Sequence, residues 1–184
     1  MTIYLREQPT AQDWIRVRQR ALATAGKSPF TVTEEPSDMW KHSILEARHS
    51  PIRYLRFSFY LENIPYWVSV HLCRHVHSQP YVCSQRNDRQ DKYDRNEAPQ
   101  NQPVNMIWDM NAEELMTIAN KRLCNKASPE TRKVVECMCG IVENHCPEFR
   151  GLLVPNCVYH GGVCHEMHTC GQVPGQMHME DLMK

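Results

Sequence analysis

The first group of residues suited to chemistry is a short polar stretch that carries two arginines and several hydroxyl groups. Arg74 and His75 are followed by Ser78, Ser84 and Arg86. Guanidinium groups bind phosphates and carboxylates through paired hydrogen bonds, and hydroxyl groups add further donors. This spacing therefore suits an anionic ligand. The alternative is structural: Arg74 and His75 would stabilise the end of a helix by interacting with its dipole, while the other residues are solvated.

A second candidate is Arg122, at the edge of an apolar helical stripe that begins at Ala112. At about 100° per residue, Arg122 falls close to Leu115. An arginine there needs an anionic or carbonyl partner, because an unpaired buried charge is costly. Alternatively, its stem packs on the core and its head reaches solvent or a glutamate. Asn111 lies on the same edge, but asparagine is also a good helix N-cap.

The third candidate is the cysteine-rich end of the chain, since six of the nine cysteines lie after residue 136. Zinc takes four nitrogen or sulfur ligands, commonly from short loops, and a closed site of this kind would be structural. The competing interpretation is a set of reduced, partly buried thiols. The predicted ligands are Cys157, Cys164 and Cys170, with Cys146 as first choice for the fourth and His160 or His165 as alternatives.

The elements that would position these residues follow from capping residues and periodicity. Thr10 and Asp13 form the ends of a capping box, and Ser128-Pro129 is a typical helix start. Apolar residues alternate with polar ones from Leu55 to Leu61, which predicts a strand with one buried face. The predicted helices cover residues 14–25, 37–47, 66–75, 112 to before 127, and 129–144. Residues 88–102 are predicted to be a loop.

Composition bounds the class of protein. The 184 residues include 21 basic and 21 acidic side chains, so no general attraction to nucleic acid or to anionic membranes is expected. No apolar run is long enough for a membrane span, and no export signal is visible, which predicts a cytoplasmic protein. We expect a core over residues 1–145 and a cysteine- and histidine-rich tail over 146–184.

Two blocks of the sequence resemble the flavin-dependent thymidylate synthases, the ThyX family. The first runs from His49-Ser50-Pro51 through Phe57-Ser58-Phe59 to residues 74–86, where Arg74, His75, Ser84 and Arg86 are in register with the family signature. The second begins at Trp108 and keeps Asn111, the arginine eleven residues later at Arg122, and the Ala-x-x-Glu-x-Arg spacing over 127–132. The two blocks occur in the family's order.

The chain also departs from the family pattern. Three positions that contribute to flavin binding in the family are changed, and the segment between the blocks is shorter than usual. The glutamine expected three residues before the signature is replaced as well. The residues at these four positions are Val76, Val82, Thr117 and His71. The positions that contact the nucleotide are therefore better kept than those that contact the flavin.

The resemblance implies an α+β, ThyX-like fold and a homotetramer with shared sites. It implies reductive methylation of dUMP to dTMP with FAD, NADPH and methylenetetrahydrofolate, and no attack on the ring by a protein cysteine. Arg74, Ser84, Arg86 and Arg122 would bind the nucleotide, with Arg122 catalytic at the pyrimidine. The implied flavin contacts are Arg74, His75, His49, Ser50 and Asn111.

Two alternatives stay open at this point. The altered flavin positions also suit an enzyme of the same fold that acts on a pyrimidine deoxynucleotide by different chemistry. A non-catalytic, zinc-stabilised nucleotide-binding protein is the other alternative. Cys83 and Cys124 lie one and two residues from nucleotide-binding positions, so a covalent role is a further hypothesis.

Overall fold

The computed structural model describes residues 1–89, 94–173, 176–178 and 183. Four strands form an antiparallel sheet in the order β1-β2-β4-β3, with helices packed against it. The predicted α+β fold is confirmed. The strands are β1 (Thr2–Glu7), β2 (Arg56–Pro65), β3 (Gln79–Val82) and β4 (Pro103–Asn111), and a separate parallel pair is formed by β5 (Val163–Cys164) and β6 (Met177–His178). The helices are α1 (Ala11–Thr24), α2 (Asp38–Glu46), α3 (Tyr66–Leu72), α4 (Ala112–Arg122), α5 (Pro129–His145) and α6 (Asn156–Tyr159).

The two central strands supply the middle of the core. Alternate residues of a strand share one face, so facing strands bring their apolar residues together in register. Phe59 of β2 lies opposite Trp108 of β4, and both side chains are fully buried. The same face continues through the pairs Phe57–Met110 and Leu61–Met106.

The helix starts follow from local capping, as predicted. The Thr10 side chain accepts a hydrogen bond from the Asp13 amide, and the Asp13 carboxylate accepts one from the Thr10 amide, which completes a capping box at α1. Asn111 and Ser128 cap α4 and α5 through their side-chain oxygens. The Asn111 cap sets the position of α4 relative to β4, because Asn111 ends the strand and caps the helix that follows.

Three strands of the four-stranded sheet have no counterpart among the predicted elements. β1 and β4 lie where no element is predicted, and β3 lies in a stretch predicted to be irregular. Pro80 is accommodated in β3 because this strand is at the sheet edge. Helix α3 ends at Leu72 rather than near His75, so Arg74 and His75 lie in the turn that follows the helix. Residues 90–93 of the predicted loop lie outside the described residues.

The segment after α5 begins inside the main core. Phe149, Leu152 and Leu153 are buried with the residues of β2 and α5, and Tyr159 donates a hydrogen bond to the Glu46 carbonyl at the end of α2 (2.6 Å). This segment is therefore held against the rest of the chain by apolar packing and by a long-range hydrogen bond. None of the described helices is both long and apolar enough to cross a membrane.

Candidate functional site

Arg122 lies in a cavity that carries several positive charges. This Arg122 cavity has a volume of about 380 Å³. Four of its lining side chains are cationic and one is a carboxylate, so its charge suits an anionic ligand. The lining residues are Arg74, His75, Lys121, Arg122, Cys124, Lys126, Ala127 and Glu166. Glu166 forms an ion pair with Lys121 (3.2 Å), which leaves the two arginines and Lys126 to dominate the cavity.

The Arg122 guanidinium is held by two hydrogen bonds. Its Nε donates to Nε2 of His75 (2.9 Å), and its Nη2 donates to the carbonyl oxygen of His71 (2.8 Å). The carbonyl partner is of the kind that the sequence predicts for an arginine at the edge of a buried stripe. Burial and the nearby positive charge of Arg74 lower the pKa of Arg122. A guanidinium remains protonated even so, and its remaining N–H groups are available to a ligand.

The backbone carbonyl of His75 is held in place by two hydrogen bonds in series. Ser78 Oγ donates to the His75 carbonyl (2.6 Å), and the indole nitrogen of Trp108 donates to Ser78 Oγ (2.7 Å). Ser78 is 6% exposed. The structure therefore corrects the sequence interpretation of this serine: Ser78 shapes the turn that carries His75, and its hydroxyl is already used for that purpose.

A second cavity lies where β4 passes into α4, and we call it the Asn111 cavity. Its volume is about 580 Å³. Asn111 lines it while its side chain accepts a hydrogen bond from the Glu114 amide (2.9 Å), so the N-cap role and the cavity position coexist. Arg53 pairs with Glu113 at its rim. The lining residues are Arg53, Arg56, Val76, His77, Gln79, Asn111, Glu113, Glu114 and Thr117.

The other residues predicted to bind nucleotide or flavin lie apart from these cavities. Ser84 and Arg86 follow the edge strand β3 and line neither cavity. Arg86 is exposed and forms a two-pronged ion pair with Asp88, with Nε–Oδ1 and Nη2–Oδ2 distances of 2.8 and 2.5 Å. His49 and Ser50 are exposed at the start of a 3₁₀ turn and line neither cavity. One chain thus brings Arg74, His75 and Arg122 together, but not Ser84 and Arg86.

The structure separates the four cysteines predicted to bind metal. Cys157, Cys164 and Cys170 line one small cavity, and the fourth cysteine at that cavity is Cys124, not Cys146. Cys146 is buried in the main core, where burial and the Glu148 carboxylate raise its pKa to about 12. In the described part of the chain, no three Cys, His, Asp or Glu side chains are already arranged to hold a metal ion.

Cys124 lines both this cysteine cavity and the Arg122 cavity. Burial and the neighbouring Cys170 thiol raise the pKa of Cys124. Because the thiolate is the reactive form, a raised pKa argues against nucleophilic attack by this residue. This agrees with the resemblance, which implies no covalent role for a cysteine.

Several cavity residues were not singled out by their sequence positions. Lys121 and Lys126 flank Arg122 and look like ordinary surface lysines at a helix end. Glu114 looks like the second half of a capping box, yet it is buried with its carboxylate 3.6 Å from Nδ1 of His75. A signal was available for Arg53 and Arg56, because Arg56 begins the strand that the family resemblance includes and Arg53 lies just before it.

This α+β chain gathers arginines at two cavities beside its sheet, a charge pattern that suits anionic ligands such as nucleotides. Residues 89–148, about a third of the chain, match the family model described as thymidylate synthase complementing protein. The resemblance to ThyX found in the sequence is thereby confirmed, and the chain is ThyX-like in both sequence and fold.

The solved structures similar to this chain share its fold at low sequence identity. ThyX from Helicobacter pylori, solved with FAD and dUMP, matches with a TM-score of 0.64 and 15% identity, covering 83% of this chain and 99% of that one. A UMP/dUMP methylase, PolB from Streptomyces cacaoi, bound with 5-Br dUMP, matches with a TM-score of 0.62 and 14% identity, covering 80% and 92%. No curated protein sequence matches the chain significantly.

Proposed function

We propose that this chain is a flavin-dependent, thymidylate synthase-like enzyme that methylates dUMP to dTMP, with methylenetetrahydrofolate as carbon donor and NADPH as reductant. The observation that carries the proposal is the Arg122 cavity. Its cationic lining suits a nucleotide, and it contains the Arg74, His75 and Arg122 positions that the family resemblance assigns to the reaction site. The family match over residues 89–148 includes Arg122.

Arg122 would act on the pyrimidine ring. Proton loss from N3 places negative charge on the ring and makes C5 more nucleophilic, and a fixed guanidinium stabilises that charge. The two hydrogen bonds to His75 and the His71 carbonyl hold Arg122 before the substrate arrives, so little reorganisation is needed during the reaction. Arg74, on the same cavity, would add a second positive charge.

Ser84 and Arg86 would bind the 5′-phosphate from a neighbouring subunit. They lie beyond the edge strand β3 and away from the Arg122 cavity of their own chain. A homotetramer with sites shared between subunits, as the resemblance implies, would bring Ser84 and Arg86 of one chain to the Arg122 cavity of another. Arg86 would then exchange its Asp88 partner for the phosphate, which offers the same two-pronged geometry.

The Asn111 cavity would hold the flavin. It contains Asn111, Val76 and Thr117, three positions that contribute to flavin binding in the family, and its volume of about 580 Å³ is the larger of the two cavities. When bound, reduced FAD supplies the hydride that completes the methyl group. Arg56 is exposed on this cavity and would offer a cation to the flavin phosphates, in place of the arginine that Val76 replaces.

The decisive experiment measures tritium release from dUMP labelled at C5, using the purified full-length protein with FAD, NADPH and methylenetetrahydrofolate. We expect release that depends on all three, and loss of it in Arg122→Ala with an unchanged thermal midpoint. UMP is tested in parallel, because one similar structure is a UMP/dUMP methylase. Arg150→Ala, an exposed arginine that lines neither cavity, is the control and should retain wild-type turnover. Normal turnover by Arg122→Ala would overturn the assignment of the site.

We further propose that the tail binds one structural zinc ion through Cys157, Cys164 and Cys170, with Cys124 as fourth ligand in place of Cys146. The position of Cys124 supports this proposal, because it lines the same cavity as the other three cysteines and its thiol is hydrogen-bonded to that of Cys170. The four side chains would rotate toward a common centre when metal binds. Zinc binding would contribute directly to folding of the tail.

Metal analysis of protein purified without a histidine tag tests the zinc proposal. About one zinc per chain is expected, and Cys124→Ser and Cys157→Ser should each lose it. Cys146→Ser is the matched control and should keep the metal, since Cys146 lies in the main core. Wild-type protein with far less than one zinc per chain, or with a Cys124–Cys170 disulfide instead, would refute the proposal.

A further inference from the structure

Glu114 is a buried carboxylate that the reaction described above does not use. It lies in the first turn of α4 and is 5% exposed. Its Oε1 is 3.6 Å from Nδ1 of His75, and the His75 side chain is itself only 10% exposed. The opposite ring nitrogen, Nε2, accepts the hydrogen bond from Arg122 Nε. The three side chains therefore form a row: carboxylate, imidazole and guanidinium.

The proton positions in this row follow from the donor inventory of the side chains. Arginine Nε carries a hydrogen and can only donate, so His75 Nε2 must be the unprotonated acceptor. A neutral imidazole then carries its proton on Nδ1, the nitrogen that faces Glu114. The distance of 3.6 Å is longer than a hydrogen bond, but the negative carboxylate favours a proton on the facing nitrogen through its charge.

We propose that Glu114 is a positioning residue that holds His75 in the Nδ1–H tautomer and thereby orients Arg122 toward the pyrimidine. This inference rests on the proposed function and assigns Glu114 to the same site. In the other tautomer, an N–H of His75 would face an N–H of Arg122, and the guanidinium would have to move. Glu114 lines the Asn111 cavity but not the Arg122 cavity, so its effect on Arg122 passes through His75.

The surrounding packing fixes the position of the His75 ring, so Glu114 can influence only its tautomer. The His75 backbone is fixed by Ser78 and Trp108, and its ring lies 6.2 Å from the Trp108 ring, centre to centre. The position of the imidazole is therefore set by the turn after α3 and by β4. What remains variable is which nitrogen carries the proton, and the Arg122 hydrogen bond and the charge of the buried carboxylate both favour Nδ1.

The first test reads the tautomer directly in unliganded protein by NMR of ¹⁵N-labelled histidine, with His75→Gln used to assign the signals. Wild-type protein should show a protonated Nδ1 and an unprotonated Nε2 at His75. Glu114→Leu, which removes the carboxylate but keeps a similar volume, should populate the Nε2–H form. A wild-type Nε2–H tautomer, or no change in Glu114→Leu, would overturn the proposal. This readout depends on neither dUMP nor flavin, so it is separate from a failure of the proposed function.

The second test asks whether Glu114 acts through Arg122. Glu114→Leu should weaken dUMP binding, measured by calorimetry, by about tenfold, but should have no further effect in an Arg122→Ala background. A full additional loss in that background would show a merely structural role and contradict the proposal. Glu114→Gln keeps the side-chain shape and a carbonyl acceptor, so it should fold and give an intermediate tautomer population even if the leucine variant does not fold. Glu34→Gln, at an exposed glutamate that lines neither cavity, should behave as wild type.

Discussion

At the scale of single residues, Arg86 already pairs with the Asp88 carboxylate, which resembles the phosphate that we propose as its ligand. The Asp88 carboxylate presents two oxygens to the guanidinium, as a phosphate would. The pair also lowers the pKa of Asp88 and raises that of Arg86, so both stay charged at neutral pH. A phosphate must therefore compete with Asp88 for Arg86.

Removing that competitor should strengthen nucleotide binding. Asp88→Asn is expected to raise dUMP affinity several-fold at low salt, with a smaller gain at high salt because exposed charges are screened. Calorimetry at two salt concentrations would measure both effects. In an Arg86→Ala background the same substitution should give no gain. A gain that persists without Arg86 would contradict the proposed role of this arginine in phosphate binding.

The Ser78 hydroxyl connects the core to the site, and its loss should be felt in stability. Ser78→Ala removes the acceptor of the buried Trp108 indole N–H. Leaving a buried donor without a partner costs about 1–3 kcal/mol. Urea denaturation should show a loss of this size, whereas Ser43→Ala, at an exposed serine of α2, should change stability by less than about 0.5 kcal/mol. Equal effects of the two substitutions would refute the structural role assigned to Ser78.

At the scale of secondary structure elements, the capping box of α1 provides a local test. Burial raises the pKa of Asp13, but hydrogen bonds from Thr10 and the charge of Arg16 outweigh it and give a net lowering. A lowered folded-state pKa means that Asp13 stabilises the fold above its unfolded pKa and loses this effect as the pH falls through the folded value.

Thr10→Ala should therefore cost about 1 kcal/mol of the free energy of unfolding at pH 7. Asp13→Asn should also destabilise at neutral pH, and its effect should shrink as the pH falls through the lowered pKa of Asp13 in the folded state, where the wild-type carboxyl becomes protonated. Thermal unfolding across this pH range is the measurement. An Asp13→Asn effect that does not depend on pH would show that the charge of Asp13 plays no part in the cap.

Elements were predictable from the sequence where their determinants are local. Thr10, Asn111 and Ser128 lie next to the helices that they cap, so α1, α4 and α5 could be placed without knowledge of the fold. The strands β1 and β3 depend on distant partners in β2 and β4, and short segments carry little signal for such pairing. Pro80 added a misleading signal, because proline is compatible with a strand only at a sheet edge.

The site residues likewise fall into two groups: those that the sequence could predict and those that only the fold reveals. Arg74 and Arg122 could be placed together through the family resemblance, although 47 residues separate His75 from Arg122. The function of Glu114 could not be predicted, because its spacing from Asn111 suggests an ordinary capping box and its burial is visible only in the fold. Cys146 illustrates the reverse: its type suggested a metal ligand, and tertiary packing puts it in the core instead.

At the scale of the whole molecule, the separation of Arg86 from Arg122 predicts complementation between inactive subunits. If one site draws Arg86 from one chain and Arg122 from another, mixed oligomers of Arg86→Ala and Arg122→Ala should recover part of the wild-type turnover after unfolding and refolding together. Mixing Arg74→Ala with Arg122→Ala should recover none, because these residues line one cavity on one chain. Analytical ultracentrifugation should show a tetramer. A monomer at micromolar concentration, or no recovery in the first mixture, would count against shared sites.

The hydrogen bond from Trp108 to Ser78 makes this indole a natural optical reporter. The ring is fully buried, its N–H donates to Ser78 in the turn that carries His75, and its centre lies 6.2 Å from that of the imidazole. Its emission should therefore be blue-shifted and sensitive to any displacement of His75. A substrate that binds Arg122 changes the charge next to His75, and would thereby change the brightness of a fluorophore that the substrate does not touch.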